Sequence, residues 1–222
     1  MNGYYLRFAL VWLVCAGVGC TSAPVRYYTL TPPPDKTVPA SETTLAIDVR
    51  VVHTPPQLNR AELMVRTGPT ELTLLENERW ASPVNDEIKD ALRLELQRRL
   101  GRLSGLHPTY AKLTLDIDVQ RLEAEFGRYA LIEASWSATL SATGQRSAAG
   151  QRSNGERVTT CTFQADEKID AGYAGIVEGY QREIAALADA IVAVLTSPAG
   201  GIDAPCQRSA GSSGGVPGAK GR

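Results

Sequence analysis

Histidine is scarce: the 222 residues hold two, His53 and His107, far apart and each followed closely by proline. An imidazole-based metal site or a Ser-His-Asp relay therefore has little to draw on. Strong charge of either sign is also missing. The formal net charge of −1 shifts by one unit when the first 19 residues, whose only charged side chain is Arg7, are removed. Such a balance does not suggest a nucleic-acid partner. After Ala16 no apolar run approaches the ~20 residues that span a bilayer. The folded region has no Gly-x-Ser-x-Gly elbow, since Gly211-Ser212-Ser213-Gly214 falls in a tail, and it has no phosphate loop or dinucleotide fingerprint. Asp116 and Asp118 share the polar face of one expected strand, whereas catalytic carboxylates oppose each other across a cleft. The chain is thus expected not to be an enzyme, and to need neither metal nor cofactor.

What is present begins at the amino terminus. Residues 1–19 combine Arg7 with an apolar run from Phe8 to Val14 and then small residues, the pattern of a secretory signal. Ala16-Gly17-Val18-Gly19 stands before Cys20, and Thr21 and Ser22 follow, which resembles a bacterial lipobox with Gly17 where Leu is usual. In such a motif the cysteine thiol is diacylated, the chain is cleaved before it, and its amine is acylated. One acyl chain binds marginally and each buried methylene adds about 0.8 kcal/mol, so three chains anchor durably. Thr21 replaces the Asp of an inner-membrane retention signal, which points to the periplasmic face of the outer membrane. Ordinary cleavage near Gly17 or Gly19, leaving a soluble periplasmic protein, is the alternative. Of the four cysteines, Cys15 leaves with the signal and Cys20 takes lipid. Cys161 and Cys206 remain, and in an oxidising compartment they could pair, closing a loop of about 45 residues worth roughly 3–4 kcal/mol. A buried thiol and an unrelated tail cysteine are the other reading.

Along the chain, Arg26-Tyr27-Tyr28-Thr29-Leu30 reads as a short strand, followed by Pro32, Pro33, Pro34 and Pro39 as an extended connector. Leu45, Ile47, Val49 and Val51 alternate with polar residues in a half-buried strand, and Leu63 to Thr67 with Leu72 to Leu75 form a hairpin around Gly68-Pro69. Ser82 as N-cap and Pro83 as first helical residue announce a helix striped by Val84, Ile88, Leu92, Leu96, Leu100 and Leu103, stopping near Gly101 and Gly105. Lys112 to Val119 alternates until Arg121-Leu122, where the period breaks and predicts a bulge. Beyond a loop at Gly127 comes a matching strand from Ala130 to Leu140. Gly144 to Gly155 is a polar loop, Arg157 to Gln164 a third strand, and Tyr173 to Val194 a second long helix ended by Ser197-Pro198. The expected fold is α+β, an antiparallel β-sheet with two long helices packed on one face. The expected divisions are 1–19 signal, 20–43 lipidated Cys20 with first strand and connector, 44–197 folded domain, and 198–222 a disordered Gly/Ser/Pro-rich tail.

Several segments carry a resemblance in combination. Tyr27-Tyr28-Thr29-Leu30, Pro56-Gln57-Leu58-Asn59-Arg60, Leu63-Met64-Val65-Arg66, Glu78-Arg79-Trp80-Ala81-Ser82-Pro83-Val84 and Glu133-Ala134-Ser135-Trp136 occur in an order and spacing that resembles the ABC-type transport auxiliary lipoprotein family of the PqiC or YmbA type. Asn59 stands where that family has Asp, and Ser82 where it has Glu. The resemblance implies an outer-membrane lipoprotein that docks an MCE-domain periplasmic protein working with an inner-membrane permease and ATPase in lipid transport. Pro56, Leu58, Arg60, Arg66 and Trp80 are the candidate partner surface, with turn and core structure as the competing role, above all for Trp80 and Trp136. The proline-rich segment is expected to give the anchored domain reach. A carrier domain that itself binds and hands over phospholipid in an apolar cavity is the alternative, and association of the chain with itself stays open.

Overall fold

The computed structural model describes residues 23–33, 45–101, 110–142, 157–197 and 209–210. Alternation of apolar and polar residues in three consecutive segments builds its centre. These are β5 (Tyr110–Glu125), β6 (Tyr129–Ala142) and β7 (Arg157–Lys168), paired antiparallel along their lengths. The β5–β6 register shifts between Val119 and Arg121, where the alternation fails in the sequence. The turn between them is closed by Gly127 at φ +67°, a conformation that costs glycine little.

Around this core lie β1 (Arg26–Tyr28), β2 (Ala46–His53), β3 (Glu62–Gly68), β4 (Glu71–Trp80) and the two-residue β8 (Ser209–Ala210). The strand order is β1-β4-β3-β5-β6-β7-β8, with β2 also beside β5. The class is α+β as expected, but the sheet is mixed rather than antiparallel. β1 runs parallel to β4, β2 and β3 to β5, and β8 to β7. Alternation decides which side chains face inward but carries no record of strand direction; β2 reaches β5 only after a hairpin and a helix, and such a crossover delivers strands in parallel.

One sheet face is dry. Leu113, Leu115, Ile117 and Val119 of β5, Ala130, Ala134 and Ala138 of β6 with Ile132, Trp136 and Leu140, and Cys161, Phe163 and Ala165 of β7 are buried under α1 (Val84–Leu100) and α2 (Tyr173–Thr196). Leu92, Leu96 and Leu100 of α1 and Tyr180, Ile184, Leu187 and Ile191 of α2 close the core from above. Small residues set the spacing where α2 crosses β6: a Cβ on Gly179 would lie 2.9 Å from that of Ala130 and 2.4 Å from Ile169 Cγ2. The opposite face carries Thr114, Asp116 and Asp118, with Asp116 ion-paired to Arg50 at 2.6 Å on β2.

Three expectations change. Ser82 is not the helix cap: Pro83 occupies the N-cap with no side-chain bond, while the Ser82 hydroxyl and N–H donate to Glu87 Oε1 at 2.7 and 3.1 Å. A carboxylate one turn into the helix captures the serine that would otherwise cap it. Second, the first strand is not outside the domain. Arg26, Tyr27 and Tyr28 pair with Glu78, Arg79 and Trp80, and Leu30 is fully buried, so the proline run joins two strands of one sheet instead of lengthening a leash. Residues 34–44 lie outside the described ones. Third, Ser209–Ala210 in the tail pairs with Gln164 and Ala165. Cys161 is buried and disulfide-bonded; Cys206, its expected partner, lies outside the described residues, as do Leu103, His107, the 144–155 loop and Cys20.

Candidate functional site

The segment Pro55-Pro56-Gln57-Leu58-Asn59-Arg60 is proline-stiffened and folds into a 3-10 turn, Pro56–Leu58. Leu58 N–H donates to Pro55 O at 2.9 Å and Arg60 N–H to Leu58 O at 2.8 Å. Pro56 and Arg60 are thereby left exposed, and Leu58 turns half-buried toward the core. Leu58 and Trp80 meet at a pocket shared with Gln57, Glu62, Met64 and Tyr180. Its volume of about 20 Å³ holds one water molecule, far below an acyl chain. Trp80 is buried, its ring 6.3 Å from that of Tyr180, and Trp136 is buried beneath the helices. Of the five candidate partner residues, then, Pro56, Arg60 and the edge of Leu58 are offered to the surface, and Trp80 is core.

Arg66 is a clamp. Its guanidinium makes a bidentate pair with Glu123, both bonds 2.6 Å, and donates to the carbonyls of Gly68 and Pro69 at 3.1 and 3.0 Å, tying the hairpin tip to β5. Glu123 also accepts from Tyr129 Oη at 2.5 Å and from Arg121. The bonds from Arg66, then those from Tyr129 and Arg121, outweigh burial and hold its carboxyl at about 2. A folded-state value below the unfolded one gives stability that is present above about pH 4.5 and drains as pH falls toward 2. From that shift, protonating Glu123 is expected to cost the fold about 3 kcal/mol. Urea melts at pH 6 and pH 2.5 should show a steeper loss for the native chain than for Glu123→Gln; equal slopes would contradict the clamp.

Three further acids are buried, and none stands out in the sequence as special. Burial pushes Glu78 up, but bonds from Arg26 and from Tyr28 Oη, the latter 2.7 Å, pull it below the ordinary carboxylate range. Glu87 accepts from Thr29 Oγ1 at 2.7 Å and Leu30 N–H at 2.8 Å as well as from Ser82. Glu183 on α2 has one bond, from Glu167 N–H at 3.2 Å, while Oε2 is unpartnered, and burial raises it to about 9. Only local disruptions hinted at them: Glu123 follows the broken alternation of β5, and Glu183 flanks the stripe of α2.

Among the described residues the arrangement is one of clamps and a turn. Among the described residues no group of three or more His, Cys, Asp or Glu is placed to hold a metal ion. No helix among them is long and apolar enough to cross a membrane. The family model for the ABC-type transport auxiliary lipoprotein component matches residues 28–192, from the clamped first strand to the last turns of α2. The chain belongs to that family. As an ABC-type transport auxiliary lipoprotein it is a member of a family of transport accessories, not of a known enzyme family. No curated protein matches the sequence. The crystal structure of an uncharacterized protein is similar at TM-score 0.51 and 18% identity, over 76% of this chain and 97% of that one, a likeness of fold alone. The crystal structure of a Xanthomonas campestris protein aligns at TM-score 0.47 and 18% identity, over 75% of this chain and 92% of that one.

Proposed function

We propose that this auxiliary lipoprotein is anchored by lipidated Cys20 to the periplasmic face of the outer membrane, where it docks an MCE-type ABC lipid transport system. The observation that carries the reading is the family match over residues 28–192, which begins inside the strand that follows Cys20 directly. The transported lipid does not pass through the domain in this reading. The pocket beneath the 56–60 turn takes one water, so a carrier role for the domain finds no support there. Binding comes from exposed, rigidly held groups, with the turn of Pro56, Leu58 and Arg60 as the contact surface for the MCE-domain protein, and the stiffness of that turn lowers the ordering cost of association.

Two experiments test this. Cys20→Ala is expected to move the protein from membranes to the soluble periplasmic fraction; retention in membranes would place the anchor elsewhere. Mild crosslinking in native membranes, with purification through a tag after Arg222 and mass spectrometry, should recover an MCE-domain protein with its permease and ATPase. Phospholipid without those proteins would overturn docking and favour the carrier.

A further inference from the structure

We infer that the end of the domain bearing Val25, Tyr27 and Phe126 is a lipid-contacting face, seated on the bilayer that holds the anchor. The inference rests on lipidation of Cys20 as proposed above. It starts from the length of chain between lipid and fold. The described chain begins at Ala23, and β1 enters the sheet at Arg26, paired to Glu78. The six residues from Cys20 to Arg26 span at most about 20 Å even when fully extended. An acylated Cys20 therefore keeps this end of the domain within about 20 Å of the headgroups.

That end is apolar where solvent would favour polar side chains. Val25 is 43% exposed, Tyr27 66% and Phe126 45%, although large hydrophobic residues elsewhere in the fold are mostly buried. Arg26, the β1 residue between Val25 and Tyr27, links this strand to Phe126 through Tyr173 at the start of α2. The Arg26 guanidinium stands 5.4 Å from the centroid of the Tyr173 ring, and that ring meets Phe126 edge-on at 5.3 Å. Aromatic side chains with one apolar and one wet end suit the headgroup boundary, and apolar faces bury about 5–10 Å into it.

Charge does not drive the contact. Arg26 is paired with Glu78, Arg79 opposite Tyr27 with Glu62, and Arg128 with Glu125, so these exposed guanidinium groups are locally neutralised. The apolar rim does the seating, and the contact is expected to persist in high salt.

The test uses the full acylated chain in vesicles of phosphatidylethanolamine and phosphatidylglycerol, with and without bromine on the acyl chains. Trp80 and Trp136 are buried and give a constant background. Phe126→Trp places a reporter on the proposed face. Val158→Trp is the control, at a 60% exposed site near the far end of β7, about 33 Å along the strand from Lys168 beside the β5–β6 turn. Brominated lipid is expected to quench Phe126→Trp roughly twofold, in low and high salt alike, and to leave Val158→Trp unchanged. No quenching of Phe126→Trp in protein that carries acyl mass and floats with the vesicles would overturn the face while the anchor stands. Equal quenching of both variants would overturn it too. Protein without acyl mass that stays out of the vesicle fraction would sink the anchor reading, and this inference with it.

Discussion

Glu183→Gln is expected to stabilise the domain by about 3 kcal/mol at pH 7 and to change little near pH 4. Glu183 is 0% exposed, and its surroundings offer one backbone N–H, from Glu167. The charges facing it are mostly of its own sign, Glu167 and Asp166, with Arg182 a weaker opposing influence and the buried Tyr180 phenol beside it. In the folded chain it holds its proton up to about pH 9, while in the unfolded chain it releases it near 4.5. Here the folded value lies above the unfolded one, so the unfolded state binds fewer protons between those limits and stability falls as pH rises through the window. The amide of Gln keeps the acceptor for the Glu167 N–H and has no charge to lose. Urea midpoints of the two proteins should diverge steadily between pH 5 and 9. Parallel curves would mean that Glu183 is ionised in the fold. Glu123 acts in the opposite direction, its contribution draining as pH falls below about 4.5.

Glu87→Ala carries the second large effect, a loss of about 2 kcal/mol. The carboxylate satisfies the Thr29 hydroxyl, the Leu30 N–H and both donors of Ser82, all within 3.1 Å. Alanine strands the Leu30 N–H in the core, and a stranded buried donor costs about 1–3 kcal/mol, while the exposed Thr29 and half-buried Ser82 can turn to water. The damage should be local before it is global. Amide exchange at Leu30 and across β1 should accelerate more than exchange in β5 or β6, and the urea midpoint should fall. Glu87→Gln, which still accepts bonds, should recover a large part of the loss. A Glu87→Ala protein with native exchange at Leu30 would show that β1 is held by burial of Leu30 alone.

The sequence made the two helices, the long hairpin and the break at Arg121 legible because each is written in residues next to one another. Periodicity of 3.6 or 2 reports burial on one side, and a register slip interrupts it. Strand direction and neighbours are not written that way, so the parallel placements of β1, β2 and β3 escaped. So did the true role of Ser82: the local pattern of serine before proline is an ordinary cap signal, and only the fold brings Glu87, Thr29 and Leu30 to the same point. For the candidate surface, the 56–60 turn was recognisable from its prolines and from family resemblance. Trp80 and Arg66 were not separable from it, because a tryptophan or arginine in a strand looks the same whether it serves a partner or, as here, a core and an internal ion pair.

The clasp on the first strand also settles how a pull on the anchor would be carried. β1 lies parallel to β4, with its amino end toward the anchor. A tug along the strand axis slides all three backbone pairs against β4 together, along with the Arg26–Glu78 and Thr29–Glu87 bonds, instead of peeling them one after another. Shear of this kind distributes force over many bonds, and the lifetime of the fold under tension then follows its unfolding rate more than its equilibrium stability. In the docking arrangement proposed above, tension on the anchor would thus meet the first strand in shear.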